Sequence, residues 1–403
     1  MALTLGVRKA CIAALAFATI LPGFSPALAA GAPSAATIET VVRSSMAKNH
    51  LKALVIQVRS NGAVVYTGAF GDSMTGVPAT PDMHFRNGAM AFTYMSTLLL
   101  ELVDRKKTTL DTKLSRYFPD LPNAGGITLR NLAQMTSGYA DYVYQPETIQ
   151  GVYRDPFRQW TPEELTQIGV SKPMEFAPGA NWGYSHTNYV ILGRVLEKIT
   201  GMPIADAIRQ YVLEPLDLKQ TGALSTPEIP EPVLHAFSSE RREVLGVKPG
   251  VPFYEEATFW NPSWTTIEGA VETTDISDLG VSIEAVATGK LLSPASSAAQ
   301  IIPSLVGFGH AQPGCSACRA NTAVFNYGLG VIDAGPWIMQ TLGFAGASGA
   351  VGYLPSQHLA IAVEGTNGPG AYDADGNAGL GAVAVFHALA DGLAPNTMQS
   401  FPH

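Results

Sequence analysis

Residues 85–104 read FRNGAMAFTYMSTLLLELVD, and from Ala89 onward they are apolar on nearly every face of a helix. A helix that is apolar all round is normally buried at the centre of a protein rather than laid on its surface. Lys106 and Lys107 follow this stretch and mark its end. The pattern predicts a helix over residues 89–104 that lies in the core, with the rest of the chain packed around it.

Segments typical of β-strands lie near both ends of the chain. Leu51–Val58 and Ala63–Phe70 are separated by Ser60-Asn61-Gly62, and Asn-Gly favours a tight hairpin. Gly349–Leu354 and Leu359–Gly365 form a second pair around a Pro-Ser-Gln turn. Further helices are predicted over 38–48, 112–118, 127–136, near 162–169, Val190–Thr200 and Gly379–Leu393. These elements predict an α/β (α+β) fold with one sheet built from both chain ends and a helical lobe, roughly 106–325, inserted between them.

The first 29 residues have the pattern of a cleavable secretory signal. Arg8 and Lys9 precede an apolar run, which ends in Ala27-Leu28-Ala29. The alternative is an uncleaved anchor, but the run is short for a bilayer span, and Cys11 lacks the context of a lipid attachment site. The predicted organisation is a signal peptide (1–29), a flexible segment (30–37), one domain (38–393) and a tail (394–403). It places the mature protein outside the cell, in the periplasm or in the cell envelope.

The net charge of the chain bears on its binding partners, and its cysteines bear on disulfide or metal binding. The chain has 25 basic and 33 acidic residues, and loss of Arg8 and Lys9 changes its net charge from −8 to −10. This acidic excess argues against nucleic acid as a partner, and no stable membrane anchor is predicted. Beyond the leader only Cys315 and Cys318 remain, and a local disulfide is expected after export. A metal site with His310 is the alternative, but it lacks half of a zinc pattern, so neither metal nor cofactor is predicted.

Several motifs recur in a definite order along the chain. They are Phe85-Arg86-Asn87-Gly88 before the apolar helix, Leu132 with Thr136-Ser137-Gly138, Phe176-x-Pro-Gly, Tyr184-Ser185-x-Thr187-Asn188-Tyr189, Leu192-Gly193, and Pro215-Leu216-Asp217-Leu218. Together they resemble the serine β-lactamase-related family, which includes class C β-lactamases, DD-peptidases (penicillin-binding proteins) and esterases. The resemblance is clear over about 38–223 and 327–390 and absent over 224–326. It implies an antiparallel sheet flanked by helices, a helical lobe, and an active site at the seam between them.

The resemblance also implies which residues occupy the catalytic positions. In the family a Ser begins the buried helix and a Lys one turn later takes its proton, whereas this chain has Ala89 and Phe92 there. Tyr184 is kept, and His186 replaces an Asn. The motif His/Lys-x-Gly, which faces them across the cleft, falls on Phe344-Ala345-Gly346. Met135 stands where a His often occurs, and Phe92, Phe344 and Met135 are expected to form an apolar pocket floor.

Two functions follow from these replacements. The first is a secreted pseudoenzyme that binds a small acyl or peptide-like ligand, such as a cell-wall fragment, in the former active-site cleft. The second is an active hydrolase, transferase or isomerase that uses Tyr184 and His186 without a serine, although no third group to orient the imidazole can be identified from the sequence. Ser96, Ser137 and Ser185 are more readily explained as structural. Trp260, Trp264, Phe253 and Tyr254 either line the cleft or pack the lobe.

Overall fold

The computed structural model describes residues 34–223, 226–302 and 304–399. The predicted signal peptide lies outside the described residues, as do 30–33 of the predicted flexible segment and 400–403 of the predicted tail. Helix α1 (Ala35–Lys48) begins earlier than expected, because Ser34 caps it by accepting a hydrogen bond from the backbone N–H of Thr37. Within the described ranges, no helix is both long and apolar enough to cross a bilayer.

An antiparallel sheet of eight strands forms the frame of the fold, in the order β3-β2-β1-β12-β11-β10-β9-β8. The strands of this sheet are β1 (Leu51–Ser60), β2 (Ala63–Met74), β3 (Val77–Pro78), β8 (Asn326–Tyr327), β9 (Ile332–Ala334), β10 (Trp337–Phe344), β11 (Ala347–Leu354) and β12 (Leu359–Asn367). Four strands form two further ladders: β4 (Phe85–Arg86) with β7 (Thr273–Thr274), and β5 (Phe237–Ser238) with β6 (Glu255–Glu256). The predicted sheet built from both chain ends is therefore confirmed, since β1 pairs with β12 at its centre.

Local turn chemistry sets the register of the first hairpin. Asn61 and Gly62 both have positive φ, 51° and 81°, as a two-residue turn between right-twisted strands requires. The predicted Asn-Gly hairpin is confirmed, and so is the later strand pair around residues 355–357.

Helices cover both faces of the sheet and fill the space beside it. Their bounds are α1 (Ala35–Lys48), α2 (Met90–Asp104), α3 (Leu129–Ala133), α4 (Pro146–Arg154), α5 (Pro162–Ser171), α6 (His186–Thr200), α7 (Ile204–Ile208), α8 (Glu214–Leu216), α9 (Ile276–Ala287), α10 (Pro294–Ile301) and α11 (Gly381–Leu393). Helices α1 and α11 pack together and against the central strands, and α9 packs on the opposite face. The central strands are thus shielded from solvent on both sides.

Helix α2 is the central helix that the apolar pattern predicted. Its side chains from Met90 to Leu102 are buried, and it contacts α6, α10 and strand β10. Its first turn therefore lies at the junction between the sheet and the helical region.

Two predicted helices are shorter than the sequence suggested. Over 112–118 only a 3₁₀ turn forms at Leu114–Arg116: Lys113 is extended and bridges to Thr128, and Pro119 disfavours a helical Phe118. The helix predicted over 127–136 is reduced to α3, which Thr128 caps and after which Met135 adopts a left-handed conformation. In contrast, α6 begins four residues before the predicted Val190.

Candidate active site

A cavity of about 590 Å³ opens at the first turn of α2, a volume suited to a small organic ligand. Its walls come from α2, the end of β10, the start of α6, and the loops around residues 143–144, 264–266 and 319–325. Gly88 brings two of these walls together, because a Cβ there would lie 2.7 Å from the backbone N of Gly343. The start of α2 and the end of β10 are therefore in direct backbone contact.

The α2 wall is apolar at Ala89 and Phe92, the two positions where the resemblance implies catalytic groups. Ala89 precedes the helix and makes no side-chain cap. Phe92 is buried, and its ring stacks on Tyr189 with the centroids 4.1 Å apart. Both residues line the cavity. Neither side chain has a nucleophilic atom or a proton to exchange.

The β10 wall is largely apolar, since Leu342, Gly343 and Phe344 line the cavity beside one hydroxyl-bearing residue, Thr341. Phe344 is the last residue of β10, lines the cavity and stacks on Trp264, with the ring centroids 6.2 Å apart. Gly346 lies beyond it in the turn, against the backbone of Phe237, and is not among the residues that line the cavity. Gly343 is exposed to the cavity in its place.

Met135 does not contribute to the cavity floor, contrary to the expectation. It is fully buried, and its sulfur lies 3.5 Å from the backbone N of Ser185 and from Nδ2 of Asn188. Its side chain is thus packed against the start of α6 and is not among the residues that line the cavity. The apolar surface of the cavity therefore comes from Phe92, Phe344 and Trp264.

The start of α6 supplies a polar wall. Tyr184 and His186 both line the cavity, and their rings meet edge to face with centroids 5.2 Å apart. Burial and the charge of Asp141 hold the pKa of Tyr184 well above its usual range, so its phenol stays protonated at neutral pH and acts as a hydrogen-bond donor.

A third group, which sequence reasoning missed, orients the imidazole. Nδ1 of His186 lies 2.8 Å from Oδ2 of Asp141, a buried carboxylate. The second oxygen of Asp141 accepts a hydrogen bond from the backbone N–H of Val143 at 3.0 Å. This arrangement assigns the proton to Nδ1 and leaves Nε2 of His186 as the basic nitrogen. The only signal in the sequence is an Asp three residues after Gly138, and it does not indicate that the fold brings Asp141 to His186.

None of the three serines considered from the sequence lines the cavity. Ser96 Oγ lies 2.8 Å from the hydroxyl of Tyr189 inside the core. Ser137 accepts a hydrogen bond from the backbone N–H of Tyr139, and Ser185 is buried. Within the described ranges, the residues that line the cavity include no Ser, Cys, Lys, Asp or Glu.

Residues 224–326, in which the sequence shows no recognisable motif, contribute Trp264 and Arg319 to the cavity. Trp260 is buried behind this wall, against Tyr153, whereas Tyr254 stacks on Phe237 away from the cavity. The guanidinium of Arg319 lies over the rings of Trp182 and Phe325, at 5.5 and 4.8 Å from their centroids. The sequence left open whether Trp264 lines the cleft or packs the lobe, and it did not identify Arg319, because no motif surrounds either residue.

Cys315 and Cys318 form the predicted disulfide. Glu175 lies beside it, with Oε2 3.1 Å from Sγ of Cys315, and burial together with the charge of Asp141 raises the pKa of Glu175 to about 7. In the described part of the chain these three residues are the one group with potential metal-ligand atoms close together. Its two sulfurs are bonded to each other, and His310 is not a member of it.

Comparison with known proteins places this geometry in context. A family model described as Beta-lactamase matches residues 38–385. Esterase EstB from Burkholderia gladioli is 28% identical over 232 residues, 54% of this chain and 58% of that protein. Putative penicillin-binding protein PbpX from Bacillus subtilis (strain 168) is 26% identical over 197 residues, 47% of each chain. The matches thus span about half the length of these curated relatives.

Solved structures match over more of the chain. A D-stereospecific amidohydrolase from Streptomyces sp. has a TM-score of 0.72 at 22% identity, covering 90% of this chain and 99% of that one. The octameric penicillin-binding protein homologue from Pyrococcus abyssi has a TM-score of 0.70 at 19% identity, covering 91% and 79%. These structures share the fold of the chain.

Proposed function

Because the chain belongs to the Beta-lactamase family, we propose that it is an exported member of that family that binds a small, largely apolar acyl or peptide-like ligand without serine catalysis. One observation carries the proposal. Ala89 and Phe92, at which the resemblance implies the nucleophile and its base, both line the cavity, and the described lining contains no Ser, Cys or Lys.

The packing of Phe92 supports a binding role. Its ring contacts Tyr189, Tyr184 and His186, so an aromatic cluster replaces a polar reaction centre. An apolar cavity of this size binds small molecules by removing their apolar surface from water. A covalent route, in contrast, needs an activated nucleophile.

Export is part of the same proposal. It rests on the leader-like pattern of residues 1–29, on the disulfide Cys315–Cys318, which is typical of oxidising compartments, and on the penicillin-binding proteins among the relatives, which favour the cell envelope or the exterior. Mass spectrometry of the secreted or periplasmic protein tests it by showing whether the mature chain begins near Ala30.

Intact-mass spectrometry tests the absence of serine chemistry. The purified protein is incubated with benzylpenicillin and with a fluorophosphonate, and we expect no adduct with either reagent. Ala89→Ser is the matched control and is also expected to stay unlabelled, because Phe92 cannot take the proton of the new hydroxyl. A stoichiometric adduct on the unmodified protein would overturn the proposal, and peptide mapping would identify the hydroxyl.

A cavity-filling variant tests ligand binding directly. Gly343 lines the cavity, and a Cβ there meets no atom within 4 Å, so Gly343→Trp is expected to fill the cavity without disturbing the fold. Gly125→Trp is the control at an exposed, equally open position. Apolar ligands that raise the melting temperature of the wild type should raise that of the control but not that of Gly343→Trp. Equal shifts in all three proteins would mean that binding occurs elsewhere.

The hydrogen bond between Asp141 and His186 favours a second candidate function. A carboxylate that holds Nδ1 makes Nε2 a general base towards the cavity, and Tyr184 is a neutral donor beside it. The candidate is a hydrolase, transferase or isomerase that acts without a covalent serine intermediate.

Turnover assays separate the two candidates. The esterase and amidohydrolase relatives make p-nitrophenyl butyrate and D-phenylalanine amide suitable substrates. In the second candidate, His186→Ala and Asp141→Asn each lower kcat by at least about 100-fold, and Tyr184→Phe lowers kcat more than it raises KM. In a binding protein no turnover is detected, and Tyr184→Phe changes affinity only. Activity that survives His186→Ala would exclude the second candidate.

A further inference from the structure

The described lining of the cavity contains a cationic side chain and no anionic one, and this difference indicates the charge of the ligand. Among the described residues that line it, Arg319 is the only Lys or Arg, and no Asp or Glu is present. We propose that Arg319 binds the carboxylate of a small monocarboxylic acid whose aromatic or alkyl body fills the rest of the cavity. This inference rests on the ligand-binding function proposed above and adds the class of ligand.

The position of Arg319 is established before any ligand enters. Its guanidinium lies over Trp182 and Phe325, and Trp182 is fully buried. The preceding residue is Cys318, which is held by the disulfide to Cys315 and by a backbone bridge to Gly183. A cation held in place in this way loses little conformational freedom on binding, which favours affinity.

The chemistry of a guanidinium makes a carboxylate the matching group. A guanidinium presents its N–H donors in a planar fork, which matches the two oxygens of a carboxylate through two parallel hydrogen bonds. Arg319 is half-buried among aromatic rings, where low polarity strengthens an interaction between opposite charges. A ligand cation would be repelled.

The remaining walls select the body of the ligand. Phe344, Trp264, Leu342 and Val383 present apolar surface to the cavity, and the stacked pair of Phe344 and Trp264 suits an aromatic ring. One cation matches a single negative charge, whereas a phosphate dianion normally needs further donors. The combination favours an aryl- or alkyl-substituted monocarboxylate.

Matched acid and amide probes test the inference on the full chain. Four pairs are titrated at pH 7.5 by calorimetry: phenylacetylglycine, 4-phenylbutyrate, indole-3-acetate and N-acetyl-D-phenylalanine, each against its primary amide. We expect at least one acid to bind at least about tenfold more tightly than its amide. Arg319→Gln should remove this preference and leave amide binding within about twofold, and Arg319→Lys should retain part of it.

Arg116→Gln is the control, because Arg116 is an exposed arginine that also lies over an aromatic ring but is remote from the cavity. Arg116→Gln should change neither the affinity for the acids nor the affinity for their amides. If acids and amides bind equally and Arg319→Gln changes neither, the carboxylate inference is overturned and the binding function stands. If none of the eight probes binds to the wild type, both proposals fail.

Discussion

The two sides of the cavity differ in chemistry although they belong to one site. On the side of α2 and β10, Ala89, Phe92 and Phe344 offer no group that can exchange a proton. On the side of α6, Tyr184 and His186 face the cavity, and Asp141 holds the imidazole at 2.8 Å. The two sides therefore differ in whether they present a side chain that can exchange a proton. A ligand therefore contacts one apolar wall and one polar wall. The three predictions below test how strongly substitutions in or next to each wall change the stability of the protein.

The largest expected effect comes from placing a cation in the apolar wall. Phe92→Lys would bury an ammonium among Tyr189, Tyr184 and the core of α2, where no carboxylate lines the cavity. We expect the free energy of unfolding to fall by about 3–5 kcal/mol, measured by urea denaturation at pH 7. Phe92→Leu, which stays apolar, should cost about 1–2 kcal/mol. Equal losses in the two variants would show that this wall does not exclude charge.

A smaller effect is expected from removing the carboxylate on the polar wall. Asp141→Ala leaves Nδ1 of His186 and the backbone N–H of Val143 without their acceptor. The expected loss is about 2 kcal/mol, the cost of unsatisfied buried donors. Asp141→Asn keeps an acceptor oxygen, so its free energy of unfolding should fall by less than that of Asp141→Ala. If Asp141→Ala is as stable as the wild type, the hydrogen bond between Asp141 and His186 does not stabilise the polar wall.

The smallest effect depends on pH and concerns Glu175, next to the polar wall. Burial and Asp141 raise the pKa of Glu175 from its ordinary value of 4.5 to about 7. The stability from this group is therefore fully present below pH 4.5 and is lost as the pH rises through 7. After allowance for solvent screening, Glu175→Gln should raise the free energy of unfolding by about 1 kcal/mol at pH 8 and leave it nearly unchanged at pH 4.

Urea denaturation at both pH values measures this difference, and Glu147→Gln serves as the control of opposite sign. A hydrogen bond from Lys172 lowers the pKa of Glu147, so its replacement should lower stability at pH 8 instead of raising it. Two variants that respond to pH in the same direction would contradict the assignment of Glu175.

Local signals in the sequence predicted much of the fold. The Asn61-Gly62 turn, the strand pair around residues 355–357 and the apolar helix α2 were confirmed, because each depends on neighbouring residues alone. The family assignment was also confirmed, since ordered motifs constrain the whole chain. The helix over 112–118 failed because Pro119 and the bridge from Lys113 to Thr128 outweigh its composition.

Contacts between distant residues explain what the sequence could not predict about the site. Asp141 meets His186 across 45 residues, and no periodicity or spacing links them. Arg319 and Trp264 belong to a region without recognisable motifs, so their places in the cavity follow only from the packing of the loops. The same reasoning misplaced Met135, whose buried sulfur packs against Ser185 and Asn188 instead of lining the cavity.

The pairing of β1 with β12 also governs the order in which the chain can fold during synthesis. Leu51 to Ser60 can complete the centre of the sheet only when Leu359 to Asn367 has been made. Such pairing between remote segments is slow to form. A nascent chain therefore stays without its central sheet until nearly all of it has left the ribosome. For the export proposed above, this delay is favourable, because a chain that has not yet formed its central sheet can still pass through a translocation channel.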